Sequence, residues 1–157
     1  MTEGAIYRHF ESKIDILLSI LKLFQQDASQ ILTKVCMFDN PALRLIEDIF
    51  MHLFRFFTEK PAVTAVIFSE SIFQNDSRLA REVFKLLRMH EEALYCIVEK
   101  GRERGEIKKT IHKKELSRII IGSIRYTVTT WRLSHFAFVL MKEGKIMVEA
   151  LKDLLKV

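Results

Sequence analysis

The chain has 157 residues, 49% of them apolar and 29% charged, with a net charge of +5. A chain of this length can bury roughly 70% of its unfolded surface without a metal or disulfide staple. The composition excludes a disordered or collagen-like chain. Its longest apolar runs, such as 136–141, fall far short of the ~18 residues a membrane span needs. Five Gly and two Pro leave little turn material, and no period-two alternation is sustained, so the predicted class is all-α.

The first element is the stretch T-E-G-A-I-Y-R-H-F-E-S-K, Thr2 to Lys13. Thr2 can cap a short helix over Gly4–Phe10 by offering its hydroxyl to free first-turn amides. Ser12, with Asp15 three residues on, is a capping-box-like start to a second helix. Two helices meeting at a short break is helix-turn-helix grammar, in which a short helix enters the major groove. These residues resemble the recognition helix and following turn of the TetR (tetracycline-repressor) family of transcriptional regulators. That family writes a hydroxyl residue, an acid, Gly, a small residue, an apolar residue, Tyr, a variable residue, His-Phe and then Ser-Lys. Here the places are Thr2, Glu3, Gly4, Ala5, Ile6, Tyr7, Arg8, His9, Phe10, Ser12 and Lys13. The resemblance implies that Tyr7, His9 and Lys13 hold the DNA backbone, and that Thr2, Gly4, Ala5 and Arg8 lie nearer the base edges. Ile6 and Phe10 are expected in the core. Phosphate contacts of this kind set register and carry no sequence information. The family has about two further helices ahead of this point. Residues 1–14 are therefore expected to be the second part of a helix-turn-helix domain, and 15–157 a helical effector-binding and dimerisation domain. On that expectation this chain binds DNA weakly or not at all.

From Ser12, Ile16, Leu17, Ile20, Leu21, Phe24, Ala28, Ile31 and Leu32 keep the three-four spacing of one helical stripe to about Val35. The resemblance makes this the helix that joins reader to body and carries the signal by its tilt. Asn40-Pro41 reads as cap and first helical residue of the next helix, which stops before Lys60-Pro61. Pro61 opens a short helix, Val63–Phe73, apolar on several sides. Asn75-Asp76-Ser77 caps a long one ending near Gly101–Gly105. A helix follows over about Lys113–Ser134 and a last one over about Lys145–Leu155, with Gly144 as the break between them.

Among 12 Phe and six Met, those on the central helices can supply the adaptable apolar walls of a ligand site. Residues at such spacing also make ordinary core. The candidate ligand set is Phe50, Phe54, Phe57, Glu70, Met89, His90 and Tyr126. Glu70, His90, Arg125 and Tyr126 interrupt apolar stretches, and a buried polar group needs a partner, from the protein or from a ligand. The Lys113–Ser134 helix is apolar nearly all round, which asks for cover on every side. A second copy of the chain is the expected cover, through Ile120, Ile124, Val128, Trp131, Met147 and Leu151, with Gly122 admitting a close backbone. TetR-like proteins form such a four-helix interface across a two-fold axis.

Eight Lys/Arg against three Glu in residues 100–118 carry the whole net charge. They read as a solvated basic helix end and loop before a nucleic-acid patch. Cys36 and Cys96 stand alone, without a Cys-x-x-Cys or Cys/His cluster, as in a reduced cytoplasmic protein. No phosphate loop, Glu-x-x-His or His-Glu-x-x-His motif is present, so no enzyme, metal or cofactor is expected. The expected function is a ligand-responsive repressor, a homodimer on a palindromic operator, released by a small apolar effector. Phe56, Phe57 and Pro61, with Gly101, Gly105 and Ile107, resemble regulators of fatty-acid metabolism, which implies an acyl-type effector. The rival reading is an effector-binding or protein-interaction dimer without DNA binding.

Overall fold

The computed structural model describes residues 12–37, 39–69 and 76–157. Among the described residues there are six helices: α1 Lys13–Met37, α2 Ala42–Glu59, α3 Pro61–Ile67, α4 Ser77–Glu103, α5 Lys113–Leu133 and α6 Leu140–Leu155. Extended pairing among them is limited to one antiparallel bridge, Ile107 with Lys156. The fold is all-α. The predicted Gly4–Phe10 helix lies outside the described residues. The predicted Val63–Phe73 helix is shorter than expected: α3 starts at Pro61 and ends at Ile67, with Phe68 as its C-cap, and positions 70–73 lie outside the described residues.

The local signals act where their chemistry requires. Ser12 Oγ accepts the Asp15 amide at 3.2 Å and donates to the Asp15 carboxylate at 2.7 Å, so α1 begins on its predicted capping pair. Asp76 accepts the Arg78 amide at 2.8 Å and caps α4. Arg78 also grips its carboxylate by side chain, which holds the Asp76 pKa down at about 2. α2 starts one residue later than the Asn40-Pro41 signal implies, because Pro41 is itself the cap and offers no side chain to it. The Ala42 amide is met instead by the Glu106 carboxylate, 64 residues away, at 2.5 Å.

α1 and α4 run side by side, α2 lies against α6, and α5 packs between α4 and α6. Leu21, Phe24, Ile46, Ile49, Phe50, Phe54, Phe57, Leu79, Leu94, Ile97, Ile120 and Val128 form one continuous core. Fully burying each large side chain contributes roughly 1.5–3 kcal/mol.

Gly144 is not a helix break. α6 begins at Leu140 and runs straight through it. A Cβ at Gly144 would lie 2.0 Å from Cδ2 of Phe54. The glycine is thus a notch that lets the α2 ring press against the α6 backbone. The turn between α5 and α6 is made by His135 and Phe136, at φ of 54° and 64°, a region that costs non-glycine residues roughly 1–2 kcal/mol each. The Phe136 ring, 4.6 Å from that of Trp131, helps to offset this.

Candidate functional site

α1, α2, α4 and α5 do not close completely on one another. Between them, roofed by α3, lies a cavity of about 60 Å³. Phe24 of α1 enters from one side and Leu53 and Phe57 of α2 form the floor. Val83, Leu86, Leu87 and Leu94 of α4 face Ile121 and Ile124 of α5, with Ile67 and Phe68 above. Among the described residues that line it, two, His90 and Arg125, have polar or charged side chains. The volume is well below that of occupied ligand sites, which run to roughly 300–1,000 Å³. Any sizeable guest must push these helices apart.

His90 has a defined state. Its Nδ1 lies 2.8 Å from the Leu86 carbonyl, which can only accept, so Nδ1 carries the proton. Burial pushes the His90 pKa below its ordinary value, the Leu86 bond opposes this, and the nearby His52 charge adds to it. The ring is therefore neutral, with Nε2 as a bare acceptor. That Nε2 is shut off from solvent and meets no hydrogen-bond partner among the described residues. The imidazole stacks on Phe24, with centroids 6.2 Å apart and planes 17° apart. Arg125 lays its guanidinium over the Phe68 ring at 5.2 Å.

Just after Phe24, α1 is tied to both neighbouring helices. The Gln25 amide donates to the Glu82 carbonyl at 3.2 Å and to the Glu82 carboxylate at 2.9 Å on α4. Asp27 meets His52 Nε2 of α2 at 2.6 Å. Within one turn, then, α1 gives the cavity a wall and grips both neighbouring helices.

The structure brings only part of the candidate ligand set together. Phe57 and His90 line the cavity. Phe50 and Phe54 are fully buried in the packed core beside it. Met89 lies instead in a surface groove between α1 and α4, with Lys22, Gln25 and Glu82. Tyr126 is 70% exposed on the outer side of α5, because it follows Ile124 and Arg125 round the helix to the opposite face. Glu70 lies outside the described residues. The candidate set missed Phe24, Leu87 and Ile121. Phe24 carried the one usable signal, an aromatic ring in the middle of the long α1 stripe.

The candidate dimer residues are also redistributed. Ile120, Val128, Trp131 and Leu151 are buried within the subunit, Ile124 lines the cavity, and Met147 is half-buried. Where α5 is apolar on two faces, periodicity alone does not say which turns inward. The outward side of α5 and α6 carries Ile119, Tyr126, Leu133, Ile146 and Leu154. A Cβ at Gly122 would meet nothing within 4 Å. Of the candidate DNA-binding residues, Lys13 is exposed at the first residue of α1. Thr2, Gly4, Ala5, Tyr7, Arg8 and His9 lie outside the described residues. In the basic 100–118 segment, Lys113 pairs with Glu99, Arg104 with Asp39, and Arg118 with Glu91 and Glu115, as a solvated charged surface does.

No group of metal-ligating side chains occurs among the described residues, and none of their helices is long and apolar enough to cross a membrane. The family model described as YsiA-like protein, C-terminal region, matches residues 10–154. The fatty acid metabolism regulator protein of Bacillus subtilis is 24% identical over 153 residues, covering 96% of this chain and 77% of that protein. Among solved structures, the transcriptional regulator FadR from B. subtilis in complex with stearoyl-CoA superposes with a TM-score of 0.77 at 23% identity. That match covers 96% of this chain and 81% of the other. FadR from Bacillus halodurans, a fatty acid degradation regulator, gives 0.74 at 18% identity over 97% and 81%. The ketosteroid regulator KstR2 of Mycobacterium tuberculosis gives 0.73 at 16% over 100% and 80%. The family and these relatives are transcriptional regulators and not enzymes. The chain belongs to the TetR family of transcriptional regulators.

Proposed function

We propose that the protein is an acyl-responsive repressor, a homodimer whose α1–α4–α5 cavity opens around a long apolar chain and thereby moves α1. The observation that carries this is the position of the cavity. Its walls include Phe24 of the helix that leads from the reader, and Ile121 and Ile124 of a helix whose other face is an open apolar surface. A long acyl chain does not fit in about 60 Å³, so binding selects an expanded arrangement. An effector shifts the equilibrium only by its preference for that arrangement. Displacing Phe24 pulls on the Gln25–Glu82 and Asp27–His52 ties, and α1 tilts. The fatty-acid regulator relatives and the stearoyl-CoA held by B. subtilis FadR support an acyl ligand. Lys13, at the positive end of α1, suits a DNA phosphate, with Thr2, Gly4, Ala5, Tyr7, Arg8 and His9 as the remaining contacts. Two readers on a two-fold dimer reach successive major grooves about 34–36 Å apart.

The outward apolar side chains of α5 and α6 form the subunit interface in this reading, since patches of that kind mark association surfaces. Sedimentation of the Tyr126→Glu, Leu133→Glu double variant is expected to give monomer, and an unchanged dimer would place the interface elsewhere. For the function, sequences selected from random duplex DNA are titrated with this chain and with a version carrying two further reader helices ahead of Thr2, with and without stearoyl-CoA. Operator release by stearoyl-CoA is the expected result. Undiminished DNA binding in saturating stearoyl-CoA would overturn the proposal. Stearoyl-CoA binding without any selected sequence would favour the effector-binding dimer that does not bind DNA.

A further inference from the structure

The cavity is less indifferent to its guest than its apolar walls suggest. His90 Nε2 is buried, without a partner among the described residues and, by the Leu86 bond on the opposite nitrogen, restricted to accepting. A saturated chain leaves that acceptor orphaned, and a thioester carbonyl cannot help, because it is an acceptor too. Arg125, the other lining residue with polar atoms, already has its guanidinium stacked on Phe68. Resting on the acyl-effector reading above, we propose that His90 is a specificity-determining residue that selects an acyl chain bearing a hydroxyl, whose O–H donates to Nε2.

Three features make the donor a hydroxyl on the chain. The lining beside His90 is Phe24, Leu86, Leu87 and Leu94, so the donor must arrive on an otherwise apolar body and not on a polyanionic head. It must be small, since the ring is fixed between Phe24 and the α4 backbone and cannot swing to meet a bulky group. It must also be neutral, because a charged donor would lose its hydration against this apolar lining, where no carboxylate among the lining residues could pair with it. Satisfying a buried orphan acceptor has a larger effect than an ordinary exchange of partners with water, and sites that read a hydroxyl reject the deoxy analogue strongly.

The test is a cycle across protein and ligand. Stearoyl-CoA and its isomers hydroxylated near the thioester, at mid-chain and at the terminal carbon are bound to the native protein and to His90→Phe. This variant keeps a flat ring against Phe24. One isomer is expected to bind native protein about tenfold tighter than stearoyl-CoA, and the advantage should vanish in the variant. In the native protein, the ¹⁵N resonance of His90 Nε2 should move toward the protonated range with that isomer and stay put with stearoyl-CoA; this arm does not depend on the variant folding. Stearoyl-CoA binding at least as tightly as every isomer would overturn the hydroxyl proposal and leave the effector reading standing. A hydroxyl advantage that persists in His90→Phe would overturn it too. If neither stearoyl-CoA nor any isomer binds, the effector reading itself fails.

Discussion

One core contains two kinds of packing. On the α2–α6 side, Phe54 is fully buried and its ring fills the notch at Gly144 so closely that no Cβ fits. On the α1–α4–α5 side, a gap of about 60 Å³ and an unpartnered imidazole nitrogen remain. α2 belongs to both, giving Phe50 and Phe54 to the sealed side and Leu53 and Phe57 to the open one. Close-packed interiors transmit strain and resist deformation, so the sealed side suits a platform and the loose side a sensor. The difference teaches that burial alone does not mark a ligand site; what matters is whether the buried residues have filled their space.

The comparison breaks first at the aromatic rings. Phe54→Ala should cost about 3–5 kcal/mol in urea unfolding, because packed neighbours cannot collapse into the hole. Phe57→Ala should cost at least ~1 kcal/mol less, since one side of that ring already borders the gap. Equal losses would mean that the two sides are packed alike.

Adding atoms should discriminate in the opposite sense. Gly144→Ala is expected to destabilise by about 1–3 kcal/mol through overpacking against Phe54, although Ala is the better helix former by about 1 kcal/mol. Gly122→Ala on α5, where a new methyl meets open space within the subunit, should instead gain up to ~1 kcal/mol in the monomeric Tyr126→Glu, Leu133→Glu background. The Gly144 variant proving neutral would show that α2 and α6 can slide apart.

A smaller change sharpens the sensor side. Val83→Leu places one further methylene into the gap and should raise stability by about 0.8 kcal/mol, while weakening stearoyl-CoA binding. Destabilisation by this variant would mean that the gap is not available to a side chain.

Three helix starts were readable because each rests on a local signal: Ser12 with Asp15, Asp76 before α4, Pro61 opening α3. Gly144 misled because a glycine that ends a helix and one that admits a neighbouring ring look alike along the chain. The difference lies with Phe54, 90 residues away. The cap on α2 was hidden for the same reason, since Glu106 reaches Ala42 from across the fold. At the cavity, Phe57 and His90 were legible as an aromatic and an interruption in an apolar stripe. Phe50 and Phe54 could not be told from them, because helical period separates inside from outside and not filled from empty. For α5 even inside and outside were ambiguous. Ile119 and Ile120 are neighbours of one type, yet one is 48% exposed and the other fully buried.

The smallest effect is a dependence on pH that belongs to the open side. Burial disfavours the charged form of His90, aided by the His52 charge and opposed by the Leu86 bond, so its folded pKa lies below the ordinary 6.5. As pH falls through about 6.5, an unfolded His90 takes up a proton that the folded one refuses. This contribution to stability is therefore complete above that pH and declines as the solution becomes more acidic, down to the folded pKa. For a single proton the slope cannot exceed about 1.4 kcal/mol per pH unit. Every other group is common to both proteins, so the informative quantity is the difference in slope between native protein and His90→Phe in urea titrations between about pH 5 and 7. The variant should show the flatter dependence. Parallel slopes would mean that water reaches the imidazole freely, and the gap beside it would then be a wet cleft, no looser in packing than the seam at Gly144.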